Sequence, residues 1–153
     1  TDYNRGTTLN VGVIQGGTVV NVVPDTAWID FDLRVMQPGE AERIMGALKN
    51  IKPVLQGTTL EITGELNRPP MPYNDLMQST FEHAREIAAK NGFTLTAAGT
   101  GGASDGNFVA PLGIPVLDGM GAIGGDYHSE KEYIIKESLV TRTRLLATLL
   151  QNW

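Results

Sequence analysis

Residues 27–35 read Ala-Trp-Ile-Asp-Phe-Asp-Leu-Arg-Val. Ala27, Ile29, Phe31, Leu33 and Val35 fall on one face, and Trp28, Asp30, Asp32 and Arg34 on the other. A period of two marks a strand with one side on a core and the other open to solvent or a ligand.

Toward the N-terminus, Thr7–Gln15 has the same character, and the β-branched run Val19–Val23 is closed by Pro24. Gly16-Gly17 supplies a turn, so residues 7–23 are expected to form a hairpin. Toward the C-terminus, Pro38-Gly39 interrupts the pattern. Ala41, Ile44, Met45, Leu48 and Ile51 then recur at helical spacing, and Thr58–Leu66 returns to strand. The first lobe therefore reads β-β-β-α-β over residues 1–66.

Asn67 to Pro72 holds three of the chain's eight prolines. Proline neither continues a helix nor enters a central strand, so the lobe boundary is placed there. In residues 67–153, Asn74 is suited to cap a helix running to Lys90, with Met77, Phe81, Ala84 and Ala88 on its buried stripe. Phe93–Ala98 and Ile114–Leu117 read as strands, 107–110 as a short helix, and 137–152 as a last helix covered by Leu139, Leu146, Leu149, Leu150 and Trp153. Alternating helix and strand predicts an α/β second lobe with a parallel sheet.

The 153 residues carry 17 acidic and 12 basic side chains, a net charge of −5 that is wrong for neutralising a phosphate backbone. Nucleic acid is therefore not an expected partner. With no cysteine there is neither a disulfide scaffold nor a thiolate metal site. No apolar run approaches the roughly 18 residues of a membrane span. The sequence opens at Thr1 without an initiator methionine, as a portion of a longer protein would.

There are two histidines. His83 sits mid-helix with no ligand-type neighbour and reads as a surface residue. His128 lies in the glycine-rich loop 121–130, after an apolar strand, where α/β proteins collect functional side chains. Gly102-Ala103-Ser104-Asp105-Gly106 matches G-x-S-x-G, and Ser104, then Asp118 or Asp126, then His128 follow the α/β-hydrolase order. Against a serine nucleophile, Gly99-Thr100-Gly101 separates the pentapeptide from its strand. The same segment can also be a helix entrance capped by Ser104 and Asp105. Arg34 is equally readable as a cross-strand ion-pair partner of Asp30 or Asp32 and as a guanidinium fork for a ligand carboxylate.

Taken in order, Asn21-Val22-Val23-Pro24, Asp32-Leu33-Arg34, Thr100-Gly101-Gly102-Ala103-Ser104-Asp105 and Tyr127-His128-Ser129-Glu130-Lys131-Glu132-Tyr133 resemble a known set. It is that of the dinuclear zinc exopeptidases and deacylases related to glutamate carboxypeptidase, succinyl-diaminopimelate desuccinylase, acetylornithine deacetylase and aminoacylase. The resemblance is nearest to the glutamate carboxypeptidase branch and covers nearly all of the chain.

It implies an α/β fold, with a ferredoxin-like β-β-β-α-β lid and dimerisation lobe at 1–66 followed by the C-terminal part of a metallopeptidase catalytic domain at 67–153. It implies two zinc ions per active site in the complete enzyme, with His128 as the last zinc ligand. Asn21 is implied near the scissile carbonyl, Arg34 on the substrate's free carboxylate, and Gly101, Gly102, Ala103 and Ser104 along the pocket. Arg68 is a weaker second carboxylate contact. The substrate class is a small peptide or N-acyl amino acid, and the assembly a homodimer through the lid. The family's other metal ligands and its glutamate base fall outside these residues, so the 153-residue chain is expected to be inactive by itself. A serine hydrolase using Ser104 and His128, and a non-catalytic dimerisation or ligand-binding module, are the alternatives.

Overall fold

The computed structural model describes residues 1–37 and 39–153. Pro38, one of the two residues expected to interrupt the strand pattern, lies outside them. The elements are β1 (Thr8–Gly16), β2 (Ala27–Arg34), α1 (Glu40–Lys49), α2 (Asp75–Lys90), α3 (Gly106–Val109), β3 (Gly124–Gly125), β4 (Tyr133–Ile134) and α4 (Lys136–Asn152), with short 3-10 turns at Tyr3–Arg5 and Ala110–Leu112. They form two compact units. Thr1–Pro70 with Thr100–Ala103 make the first, and Met71–Gly99 with Ser104–Trp153 the second.

In the first unit β1 and β2 pair antiparallel, from Thr8 opposite Arg34 to Gly16 opposite Ala27. The register slips between Val11 and Val13, so Gly12 is the extra residue of a bulge. Phe31 and Leu33 are half-buried and Ile29 is exposed, so only the C-terminal end of the apolar face is covered.

The expected hairpin with Val19–Val23 does not form. Val22 N–H reaches back to the Val19 carbonyl at 3.5 Å, making a turn through Val20 and Asn21. Asparagine favours such turns, and Pro24 has no N–H to give a ladder. Residues 58–66 likewise stand outside any ladder and are exposed, so the β-β-β-α-β expectation reduces here to β-β-α.

Among the described residues, the buried ones of the first unit are Thr7, Glu40 and Ala41, so a carboxylate and a hydroxyl sit at its centre. Glu40, only 4% exposed, accepts from Thr7 Oγ1 at 2.7 Å, Arg5 Nη1 at 2.9 Å, Arg43 Nε at 2.9 Å and Arg43 Nη2 at 2.8 Å. These donors hold its carboxyl well below the usual carboxylate range, with the Arg43 hydrogen bonds the largest cause. Gly39, the residue before α1, is left-handed and offers no side-chain cap, and Glu40 and Glu42 place acidic groups in the first turn, where the helix dipole favours them. A buried carboxylate is tolerable only with this number of donors.

In the second unit, Asn74 caps α2 as its sequence predicts, Oδ1 accepting from Met77 N–H at 3.1 Å. Ala84, Ile87 and Ala88 of α2 meet Leu145 and Leu149 of α4, with Phe93, Leu95, Leu117 and Met120 packed around them. Alanine on the facing side of α2 lets α4 approach closely. Phe81 is half-buried, while Leu139, Leu146, Leu150 and Trp153, expected on the covered side of α4, are exposed.

The parallel sheet expected here is absent among the described residues. Phe93–Ala98 and Ile114–Leu117 carry no ladder hydrogen bonds, and the unit's one ladder is the antiparallel pair β3–β4. A strand needs a neighbouring strand for its backbone groups. These segments instead lay Phe93, Leu95 and Leu117 on the helix pair.

Candidate functional site

The first unit carries Arg34 at the end of β2. Its Nε donates to Asp32 Oδ2 at 2.6 Å and its Nη1 donates to the Gly101 carbonyl at 3.3 Å. The ion pair therefore runs along one strand, between residues two apart on one face, and is not the cross-strand pair considered above. The cross-strand neighbours of Asp32 and Arg34 are Asn10 and Thr8. Both charged side chains are about half exposed, so the pair adds little stability; its effect is to orient the guanidinium. Gly101, Gly102 and Ala103 are exposed, with Gly102 N–H donating to Thr100 Oγ1 at 3.2 Å. Asn21 is exposed in the turn at 19–22, and Arg68 is half-buried at the end of the unit.

The second unit carries Ser104 and His128. Ser104 Oγ accepts from Gly106 N–H at 3.1 Å, and Ser104 N–H donates to Asn107 Oδ1 at 2.8 Å. Ser104 therefore caps α3, while Asp105 makes no cap hydrogen bond to it. Among the described residues the non-glycine positions of positive φ are Asp126 and His128, so Ser104 has no left-handed strain of that kind at a nucleophile turn. Its hydroxyl oxygen accepts from a backbone amide, as at a helix entrance, and no bond from it to an imidazole is found among the described residues.

His128 is exposed on a loop with φ 65°, and Asp126, two residues earlier, has φ 55°. Non-glycine residues hold this left-handed conformation at a cost of about 1–3 kcal/mol each, with aspartate and histidine among those that tolerate it best, and such positions cluster at functional sites. The loop is closed at its base. Gly124 pairs with Ile134 and Gly125 with Tyr133, Ile135 N–H donates to the Ile123 carbonyl at 2.8 Å, and Ile123 N–H donates to Ser138 Oγ at 2.9 Å. Arg142 of α4 donates to the carbonyls of Gly121 and Gly119, both at 3.1 Å. Nothing in the sequence pattern singled out Ser138 or Arg142; both lie on a helix whose apolar periodicity drew the attention.

His83 stacks edge-on against Trp153, ring centroids 4.8 Å apart. That contact accounts for it as a surface ring.

A neutral imidazole on an exposed loop can serve as one zinc ligand. Among the described residues no group of three or more histidine, cysteine, aspartate or glutamate side chains is gathered to hold a metal. These residues therefore fit one position in a metal shell and do not build the centre. No helix among the described residues is long and apolar enough to cross a membrane.

The sequence matches the family described as Peptidase family M20/M25/M40 over residues 5–152. Among curated proteins it is 29% identical over 153 residues to the uncharacterized protein YqjE of Bacillus subtilis (strain 168), covering 95% of this chain and 40% of that protein. It is 28% identical over 156 residues to the succinyl-diaminopimelate desuccinylase of Acinetobacter baumannii (strain SDF), covering 99% of this chain and 40% of that protein. Among solved structures it is similar to aminopeptidase PepT from Bacillus cereus ATCC 10987, with a TM-score of 0.72 and 25% identity over 95% of this chain and 39% of that one. The chain thus spans about two fifths of the length of the relatives it matches.

Proposed function

Because the chain belongs to Peptidase family M20/M25/M40, we propose that it forms part of a zinc-dependent amide hydrolase. The reaction is release of a C-terminal amino acid from a small peptide or N-acyl substrate, of the glutamate carboxypeptidase type. Residues 1–66 serve as lid and dimerisation lobe, and 67–153 as part of the catalytic domain. The observation that carries the reading is His128, an exposed imidazole held on a left-handed loop whose base is closed by β3, β4 and α4.

When bound, zinc would act as a Lewis acid and bring the pKa of its water toward about 7, with His128 as one of its ligands. The chain's own residues handle the substrate. Arg34, already oriented by Asp32 and Gly101, offers its remaining N–H donors to a free carboxylate, for which a planar guanidinium is better shaped than an ammonium. Asn21 supplies an amide donor toward the scissile carbonyl. Gly101, Gly102, Ala103 and Ser104 line the binding pocket with small side chains and exposed backbone.

The test is chelation and mutation of the protein as its own reading frame produces it. Amide hydrolysis should be lost with a chelator, return with zinc, and fall at least about 100-fold in His128→Ala, the scale of a lost contribution of several kcal/mol. An unchanged rate in His128→Ala would point instead to the non-catalytic module.

A further inference from the structure

The loop that presents His128 carries one side-chain contact to the histidine's own backbone. His128 N–H donates to Glu132 Oε2 at 3.3 Å. The other hydrogen bonds of the loop bypass this residue. Ser129 N–H and Oγ both donate to the Asp126 carbonyl, at 3.2 and 2.7 Å, Lys131 N–H donates to Ser129 Oγ at 3.1 Å, and Glu132 N–H donates to the Ser129 carbonyl at 3.1 Å. Tyr127 Oη donates to the Gly124 carbonyl at 3.1 Å, which secures the neighbour and leaves His128 itself free to turn.

A left-handed histidine persists only where its surroundings hold it there. Glu132 is well placed to do so. Its backbone is anchored by the Ser129 carbonyl on one side and by β4, which begins at the next residue, on the other. Its carboxylate therefore reaches back across four residues from a fixed point, and an ionised acceptor binds an amide more strongly than a neutral one. We infer that Glu132 is a positioning residue: it holds the His128 backbone left-handed and so fixes the direction in which the imidazole is offered. This rests on the proposed role of His128 and gives Glu132 no contact with substrate.

Amide hydrogen exchange at His128 in the protein as its own reading frame produces it separates the possibilities. Glu132→Ala should speed exchange of the His128 amide about tenfold, the loss of one charge-assisted hydrogen bond. Glu132→Gln, which keeps an oxygen in the same place, should stay within about threefold of the parent. The amides of Tyr133 and Ile134 should be unchanged in both. In parallel, Glu132→Ala should lower kcat for amide hydrolysis with little change in KM, and Glu132→Gln should recover most of it.

An unchanged His128 amide in Glu132→Ala overturns the inference. So does equal acceleration at His128, Tyr133 and Ile134 in both variants, which would make Glu132 a general support of the loop. If His128→Ala leaves hydrolysis intact, the functional reading fails while the exchange result still decides how the loop is held.

Discussion

Arg34 donates to the backbone carbonyl of Gly101, 67 residues further along the chain, at 3.3 Å. One bond thus ties the end of β2 to the glycine-rich loop, and the same guanidinium is held from its other edge by Asp32 at 2.6 Å. Three consequences of structure and one of charge can be tested.

Arg34→Lys should weaken substrate binding in spite of conserving the charge. A lysine ammonium cannot span Asp32, the Gly101 carbonyl and a ligand carboxylate in one plane. The expected change is a rise in KM of about tenfold or more with kcat less affected, the pattern of lost binding common to ground and transition states. Arg34→Ala should be worse. Equal kinetics for the parent and Arg34→Lys would remove the fork from the account.

Glu40 should make the first unit sensitive to acid. Its folded carboxyl is held below the unfolded value by Arg43, Thr7 and Arg5, so its contribution is complete above the unfolded carboxylate pKa of about 4.3 and is lost as pH falls below that. Denaturant unfolding of parent and Glu40→Gln between pH 3 and pH 7 checks this. The parent should lose stability on acidification, and the variant should start less stable at pH 7 and show a flatter profile.

Gly124→Ala should open the base of the His128 loop. A Cβ at that position would collide with the Tyr133 carbonyl oxygen, a backbone atom that cannot move without breaking the β3–β4 pair. Overpacking of this kind costs about 1–3 kcal/mol. Faster exchange at Ile135, whose N–H donates to the Ile123 carbonyl at the base of the loop, is expected together with loss of hydrolysis, and normal exchange would show that the strand pair gives way freely.

Leu145→Ala and Leu150→Ala distinguish the two sides of α4. Leu145 is buried against α2, and its truncation should cost about 2–5 kcal/mol. Leu150 is three-quarters exposed, and its truncation should cost under about 0.5 kcal/mol. Denaturation midpoints of the two variants make the comparison.

That last pair also shows how far the sequence could be read. The α2 helix was legible because its information is local: an N-cap at Asn74 and apolar residues at helical spacing. For α4 the helix was legible but its facing was not, because Leu145 and Leu146 differ only in which neighbour they meet. Strands are less local still. Val19–Val23 and Ile114–Leu117 have strand composition, yet a ladder depends on a partner elsewhere in the chain, and β1 pairs with β2 past the nearer candidate.

Within the candidate site, glycine content and histidine scarcity pointed to 121–130. The left-handed backbone at Asp126 and His128, and the return contact from Glu132, leave no periodic trace. Glu40 had one available signal, an arginine three residues later, but Arg5 and Thr7 join it only through tertiary structure.

The edge-on contact between His83 and Trp153 gives the molecule an optical property. The chain has two tryptophans, Trp28 in the first unit and Trp153 in the second, where its indole leans on a ring from α2. Replacing Trp28 by phenylalanine leaves a single emitter at the tip of α4. Its tryptophan spectrum then follows the release of that helix from α2 without a tryptophan signal from the first unit, so the melting of the second unit can be watched by itself.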